Sequence, residues 1–91
     1  LQFYHSVRFN ANEQQRKTVD ELVERDRKMA TDIKQTNRKG ATTLIMAFPK
    51  QHGLYRYLCY LTLTKGHLTM VTVVYMEGNV ASIAELGKLV N

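Results

Sequence analysis

Apolar and polar positions alternate through the first nine residues, LQFYHSVRF. Leu1, Phe3, Val7 and Phe9 share one side with His5, while Gln2, Tyr4, Ser6 and Arg8 share the other. A period of two predicts a strand with one wet face, near a sheet edge. At Asn10 the pattern changes. Its side chain stands where an N-cap would, with Glu13 three residues on to complete a capping box. From about 11 to 37 the spacing becomes helical. Val19, Leu22, Val23, Met29, Ala30 and Ile33 form the apolar stripe, which Asp26 interrupts. Glu13–Lys17, Glu21–Arg25 and Glu24–Lys28 are i,i+4 pairs in the favourable order. Asn37-Arg38-Lys39-Gly40 is expected to end this helix, with a left-handed glycine cap and cations at the negative end of the macrodipole.

Three apolar runs follow: ATTLIMAF (41–48), LYRYLCYLTLT (54–64) and HLTMVTVVYM (67–76). Their β-branched and aromatic content predicts strands, with Pro49 to Gly53 and Lys65-Gly66 as the connections. Ser82 and Glu85 repeat the capping-box pattern and open a short final helix carrying Ile83, Leu86, Leu89 and Val90. The predicted fold class is α+β in the order β-α-β-β-β-α. An antiparallel sheet of three to four strands would carry one long amphipathic helix on one face and a short C-terminal helix.

Pairing across the Lys65-Gly66 turn sorts the side chains. If Thr64 faces His67, one sheet face holds Tyr55, Tyr57, Cys59, Leu61 and Leu63 opposite Met76, Val74, Thr72, Met70 and Leu68. This face is the expected seat of the long helix. The reverse face holds Leu58, Tyr60, Val71, Val73 and Tyr75, joined by Leu44, Met46 and Phe48 if the Pro49 loop keeps simple register. Such a surface, several hundred Å² by rough reckoning, is more than a monomer usually leaves in water. A final helix of about eight residues, roughly 12 Å long, is too short to cover three strands fully. A second copy, or another protein, would then cover the rest.

Composition fits one ordinary globular domain of 91 residues, 44% hydrophobic and 23% charged. No apolar run is long enough to span a bilayer. The lone Cys59 excludes an internal disulfide, which leans towards a reducing compartment, although a disulfide-free periplasmic protein would look the same. The start at Leu1 rather than Met is what processing or trimming would leave, so localisation stays open. The net charge of +5 is thinly spread: residues 11 to 39 hold eight Lys or Arg against six Asp or Glu, and the rest hold five against two.

Candidate chemistry is sparse. His5, His52 and His67 lack partners at metal-ligand spacing, and Cys59 sits mid-strand with no histidine near, as a packing cysteine would. No serine lies in a G-x-S-x-G context, and the glycines make no phosphate cradle. Asp26 is expected to pair with Arg56 or a tyrosine hydroxyl. No catalytic, cofactor or metal residue is predicted. Lys34, Arg38, Lys39 and Lys65 fall at one end of the sheet, where they could hold a phosphate or a nucleic-acid backbone. The α-β-β-β-α order after the first strand is similar to that of double-stranded-RNA modules, but their basic second helix is absent; only Lys88 is there.

The expected function is therefore a small non-enzymatic protein–protein interaction module. It would use Leu44, Met46, Phe48, Leu58, Tyr60, Val71, Val73 and Tyr75, either to form a homodimer or to dock a protein partner. The alternative is a basic nucleic-acid-binding domain using Lys34, Arg38, Lys39 and Lys65. A carrier of small apolar ligands, or an enzyme with a pocket between helix and sheet, forms a third class.

Overall fold

The computed structural model describes residues 3–85. Its elements are β1 (Phe3–Ala11), α1 (Glu13–Arg27), β2 (Asp32–Arg38), β3 (Ala41–Gln51), β4 (Leu54–Lys65) and β5 (Leu68–Gly78). Three tight turns fold β2 to β5 into an up-and-down ladder. In the middle one, His52 and Gly53 take φ of 53° and 78°, the paired positive values of a type I′ hairpin turn. β1 then adds beside β5, giving one five-stranded antiparallel sheet in the order β1-β5-β4-β3-β2.

The fold class is thus mostly β, with 60% strand, rather than an α+β domain with three to four strands. The long helix expected over 11–37 stops at Arg27, and residues 32–38 form β2 instead. Two observations account for the change. The Asp26 carbonyl accepts from the N–H groups of both Met29 and Ala30, a bifurcated ending, and Thr31 N–H then donates 2.8 Å to the Ala47 carbonyl. From there the chain is committed to pairing with β3. Left as helix, residues 32–38 would leave the backbone edge of β3 unpaired beside its buried Leu44 and Met46. The sequence hides this strand because all seven of its residues are exposed, so no alternation marks it.

The helix start also moves. β1 runs on to Ala11, and the cap is Asn12, whose side chain accepts from Gln15 N–H at 2.8 Å while Gln15 Oε1 accepts from Asn12 N–H at 2.9 Å. In place of the expected intrahelical ion pairs, Arg27 pairs with Glu24 at 3.4 Å and Arg25 with Asp26 at 3.7 Å. The last hairpin turns on Gly66-His67 rather than Lys65-Gly66, so Lys65 faces Leu68. This shifts the ladder by two residues and leaves every side chain on its expected face.

What changes is which face takes the helix. Four antiparallel steps separate β1 from β2, so the two edge strands run the same way and α1 is the crossover between them. Fifteen residues span about 22 Å, matching roughly 19 Å across five strands. In crossing, α1 places Val19 and Val23 over Leu44, Met46 and Tyr60, with Leu58 and Val73 alongside. The face expected to hold the helix is covered instead, over one half, by the chain after β5. Val80 and Ile83 pack on Tyr57, Cys59, Val74 and Met76, and the Tyr57 hydroxyl donates to the Val80 carbonyl. Residues 83–85 are helical, and Glu85 N–H donates 3.1 Å to Ser82 Oγ. The remainder of the expected C-terminal helix, residues 86–91, lies outside the described residues.

Candidate functional site

The eight residues expected to form an open interface share one sheet face, and that face lies under α1. Leu44, Met46, Tyr60 and Val71 are buried, while Phe48, Leu58, Val73 and Tyr75 are half-buried. Leu44, Met46, Phe48, Leu58, Tyr60 and Val73 pack in the cluster that α1 covers, and none of the eight is exposed. The cause is the crossover: a helix joining the two edges of the sheet must lie across this face.

Open apolar surface sits on the opposite face, at the end that Val80 and Ile83 do not reach. On β4 and β5 it comprises Leu61, Leu63, Leu68 and Met70, with Leu63 50% and Leu68 66% exposed. Met70 and Leu63 are cross-strand partners, as are Thr72 and Leu61. Thr43 on β3 pairs with Leu61 and extends the patch sideways. The surface is hollowed: Arg8, Thr43, Leu61, Leu63, Met70 and Thr72 border a depression of about 420 Å³. A second hollow of about 350 Å³ adjoins it, bordered by Lys34, Thr36, Arg38, Ala41, Thr43 and Ile45. Alternation put Leu61, Leu63, Leu68 and Met70 on this face in the sequence, but a helix was expected above them. Arg8 was legible only as a wet-side residue of β1.

The four candidate anion-binding residues are all exposed. Lys34 and Arg38 lie on β2 at alternate-position spacing, so both project from the patch face. Lys65 follows Leu63 on that face at the end of β4. Lys39 occupies the β2–β3 turn, which is tied to β4 where Thr64 N–H donates 2.7 Å to the Gly40 carbonyl. Arg38, Lys39 and Lys65 thus meet at one end, with Lys34 about 13 Å up the strand from Arg38.

Two ionisable groups elsewhere, Cys59 and Tyr60, are buried in the core. Cys59 is buried between Ile45 and Val74, its strand neighbours, and burial pushes its thiol up to about 11. Burial, then the adjacent Asp26 carboxylate, pushes the Tyr60 hydroxyl up to about 12. Among the described residues, no three His, Cys, Asp or Glu side chains gather as metal ligands would, and no helix is long and apolar enough to cross a membrane.

Residues 1–90 match a family model described as a family of unknown function, DUF6108. The chain belongs to that family. DUF6108 membership covers nearly the whole chain, both sheet faces included, and carries no activity of its own to transfer. No curated protein and no solved structure matches the chain.

Proposed function

We propose that the protein is a non-enzymatic interaction module that docks another protein on the bare end of its sheet, over Leu61, Leu63, Leu68 and Met70. The observation that carries this reading is the exposure of four large apolar side chains on neighbouring positions of two paired strands. Scattered surface leucines are ordinary; a contiguous cluster beside a hollow is a binding feature. A different protein fits better than a second copy. Arg8, Lys34, Arg38 and Lys65 ring the patch, and a two-fold face-to-face pairing would bring like charges together.

A nucleic-acid role would draw on Lys34, Arg38, Lys39 and Lys65, three of which belong to that ring. It lacks a stacking surface there, because Tyr57 and Tyr60 are buried. Leucine and methionine at the centre of a ring of cations favour a protein partner.

The test is proximity labelling in the native cell, with Leu63→Asp and Met70→Lys variants that keep the wild-type unfolding midpoint. A protein labelled by the wild type, lost with both variants, and rebound as a purified pair supports the reading. Identical labelling by all three forms refutes it, as does a purified chain that sediments as a concentration-dependent dimer broken by Leu63→Asp.

A further inference from the structure

We infer that the partner element received by this patch is an acidic amphipathic α-helix, an inference that rests on the docking role proposed above. Charge is the first argument. The chain has eight acidic residues. Five of them, Glu13, Asp20, Glu21, Glu24 and Asp26, lie on α1, across the sheet from the patch. Asp32 is cross-strand from Ala47, and Glu77 from Arg56, both at the far end of the ladder. The eighth, Glu85, belongs to the segment that roofs the far half of the patch face, and its carboxylate accepts from Ala81 N–H at 3.1 Å. The strand positions around the patch therefore carry cations alone: Arg8 on β1, Lys34 and Arg38 on β2, and Lys65 on β4.

Shape is the second. Arg8 and Arg38 stand on opposite edge strands, about 19 Å apart across the sheet. Between them the surface is sunken, and a helix about 10–12 Å across fits the space with one flank turned towards Arg8 and the other towards Lys34 and Arg38. From Leu61 to Lys65 the strand runs about 13 Å, enough to seat two to three helical turns. Apolar residues at i, i+3, i+4 and i+7 of such a helix would meet Leu61, Leu63, Leu68 and Met70. Carboxylates on both flanks would meet Arg8 on one side and Lys34 with Arg38 on the other. A flat bilayer suits a hollow poorly, and this end lacks the exposed aromatic side chains that interfacial binding favours.

Continuity is the third argument. The far half of the same face is already roofed by an apolar segment of the chain itself, through Val80 and Ile83. A docked helix would extend that layer along β4 and β5.

The experiment titrates the full chain with two synthetic helical peptides that share one leucine stripe, one flanked by glutamates and the other by lysines, and with vesicles containing an anionic lipid. The acidic peptide should bind, the basic peptide should bind at least about tenfold more weakly, and high salt should weaken the acidic complex. Arg8→Glu combined with Arg38→Glu should weaken the acidic peptide by about tenfold or more and improve the basic one. Both variants must keep the wild-type unfolding midpoint. Equal binding of the two peptides, unaffected by charge reversal but abolished by Leu63→Asp, would overturn the acidic-helix inference and leave the docking surface standing. Binding of neither peptide, or of vesicles in preference to both, overturns the inference. Peptide binding that survives Leu63→Asp counts against the docking surface itself.

Discussion

The Tyr60 hydroxyl donates to Asp26 Oδ2 at 3.3 Å, joining the last turn of α1 to a central strand of the sheet. Both residues are buried, and among the described residues the only ion pair to Asp26 comes from exposed Arg25 at 3.7 Å. The contact therefore fixes where the crossover helix ends on the sheet. Tyr60→Phe leaves the Asp26 carboxylate buried without its hydroxyl donor, and should cost about 1–3 kcal/mol in urea denaturation. Asp26→Ala combined with Tyr60→Phe should cost less than the sum of the two single changes, because the partners are lost together.

Alkaline pH should unfold the protein in a way that reports on two buried groups. Cys59 and Tyr60 hold their protons more tightly when folded, with values near 11 and 12 against ordinary values of 9.0 and 10.0. The stability they contribute is complete below pH 9, and is lost as pH rises through 9 to 11 for the thiol and 10 to 12 for the phenol. Urea midpoints measured across that range should fall, and Tyr60→Phe should flatten the fall above pH 10. An unchanged slope in the variant would contradict the assignment.

Gly40 approaches β4 too closely for any side chain. A Cβ there would stand 2.8 Å from the Thr64 carbonyl oxygen, and its φ of +69° is left-handed. Gly53 has a similar φ of +78° with open space around it. Gly53→Ala should cost about 1–2 kcal/mol for backbone strain alone, and Gly40→Ala more, because the ladder between the β2–β3 turn and β4 must also part. Thermal midpoints of the two variants compare the terms directly.

The assignment of the two sheet faces is open to a paired truncation. Met46 is fully buried beneath α1, so Met46→Ala should cost about 2–5 kcal/mol. Leu63, half exposed on the other face, should cost less than about 1 kcal/mol when truncated to Ala. Equal penalties would place the helix wrongly.

Cys59 should resist a thiol reagent in the native state and react at the rate of global opening, since burial both shields the sulfur and disfavours its thiolate. Labelling that runs at the speed of a free thiol would show that the sheet opens locally around it.

Much of the sheet was legible in the sequence. Alternation and β-branched runs located β1, β3, β4 and β5, and the parity of each residue put Tyr57, Cys59, Leu61 and Leu63 on one face and Leu58 and Tyr60 on the other. Two things were not. Apart from Ile33, residues 32–38 are polar on both sides, so their strand identity comes from pairing with β3, a long-range cause that local spacing cannot report. Met29, Ala30 and Ile33 happen to continue the helical stripe and so concealed the break. The second failure follows from the first. Both faces of β4 and β5 are apolar, and only a crossover between parallel edge strands, with its preferred hand, ties the helix to one of them. Exposed apolar side chains therefore stand on β4 and β5, on the face opposite the one expected to be open.

The two rims of the sheet are chemically unlike. β2 ends it with a comb of Asp32, Lys34 and Arg38 on a wholly wet ribbon, which discourages a foreign strand from annealing. β1 ends it with Phe3, Tyr4 and Val7 in the open and a single charge, Arg8. Should crowding or partial unfolding drive these molecules to stack edge to edge into fibrils, growth would nucleate at the N-terminal rim, and a lysine at Val7 would be the substitution that blunts it.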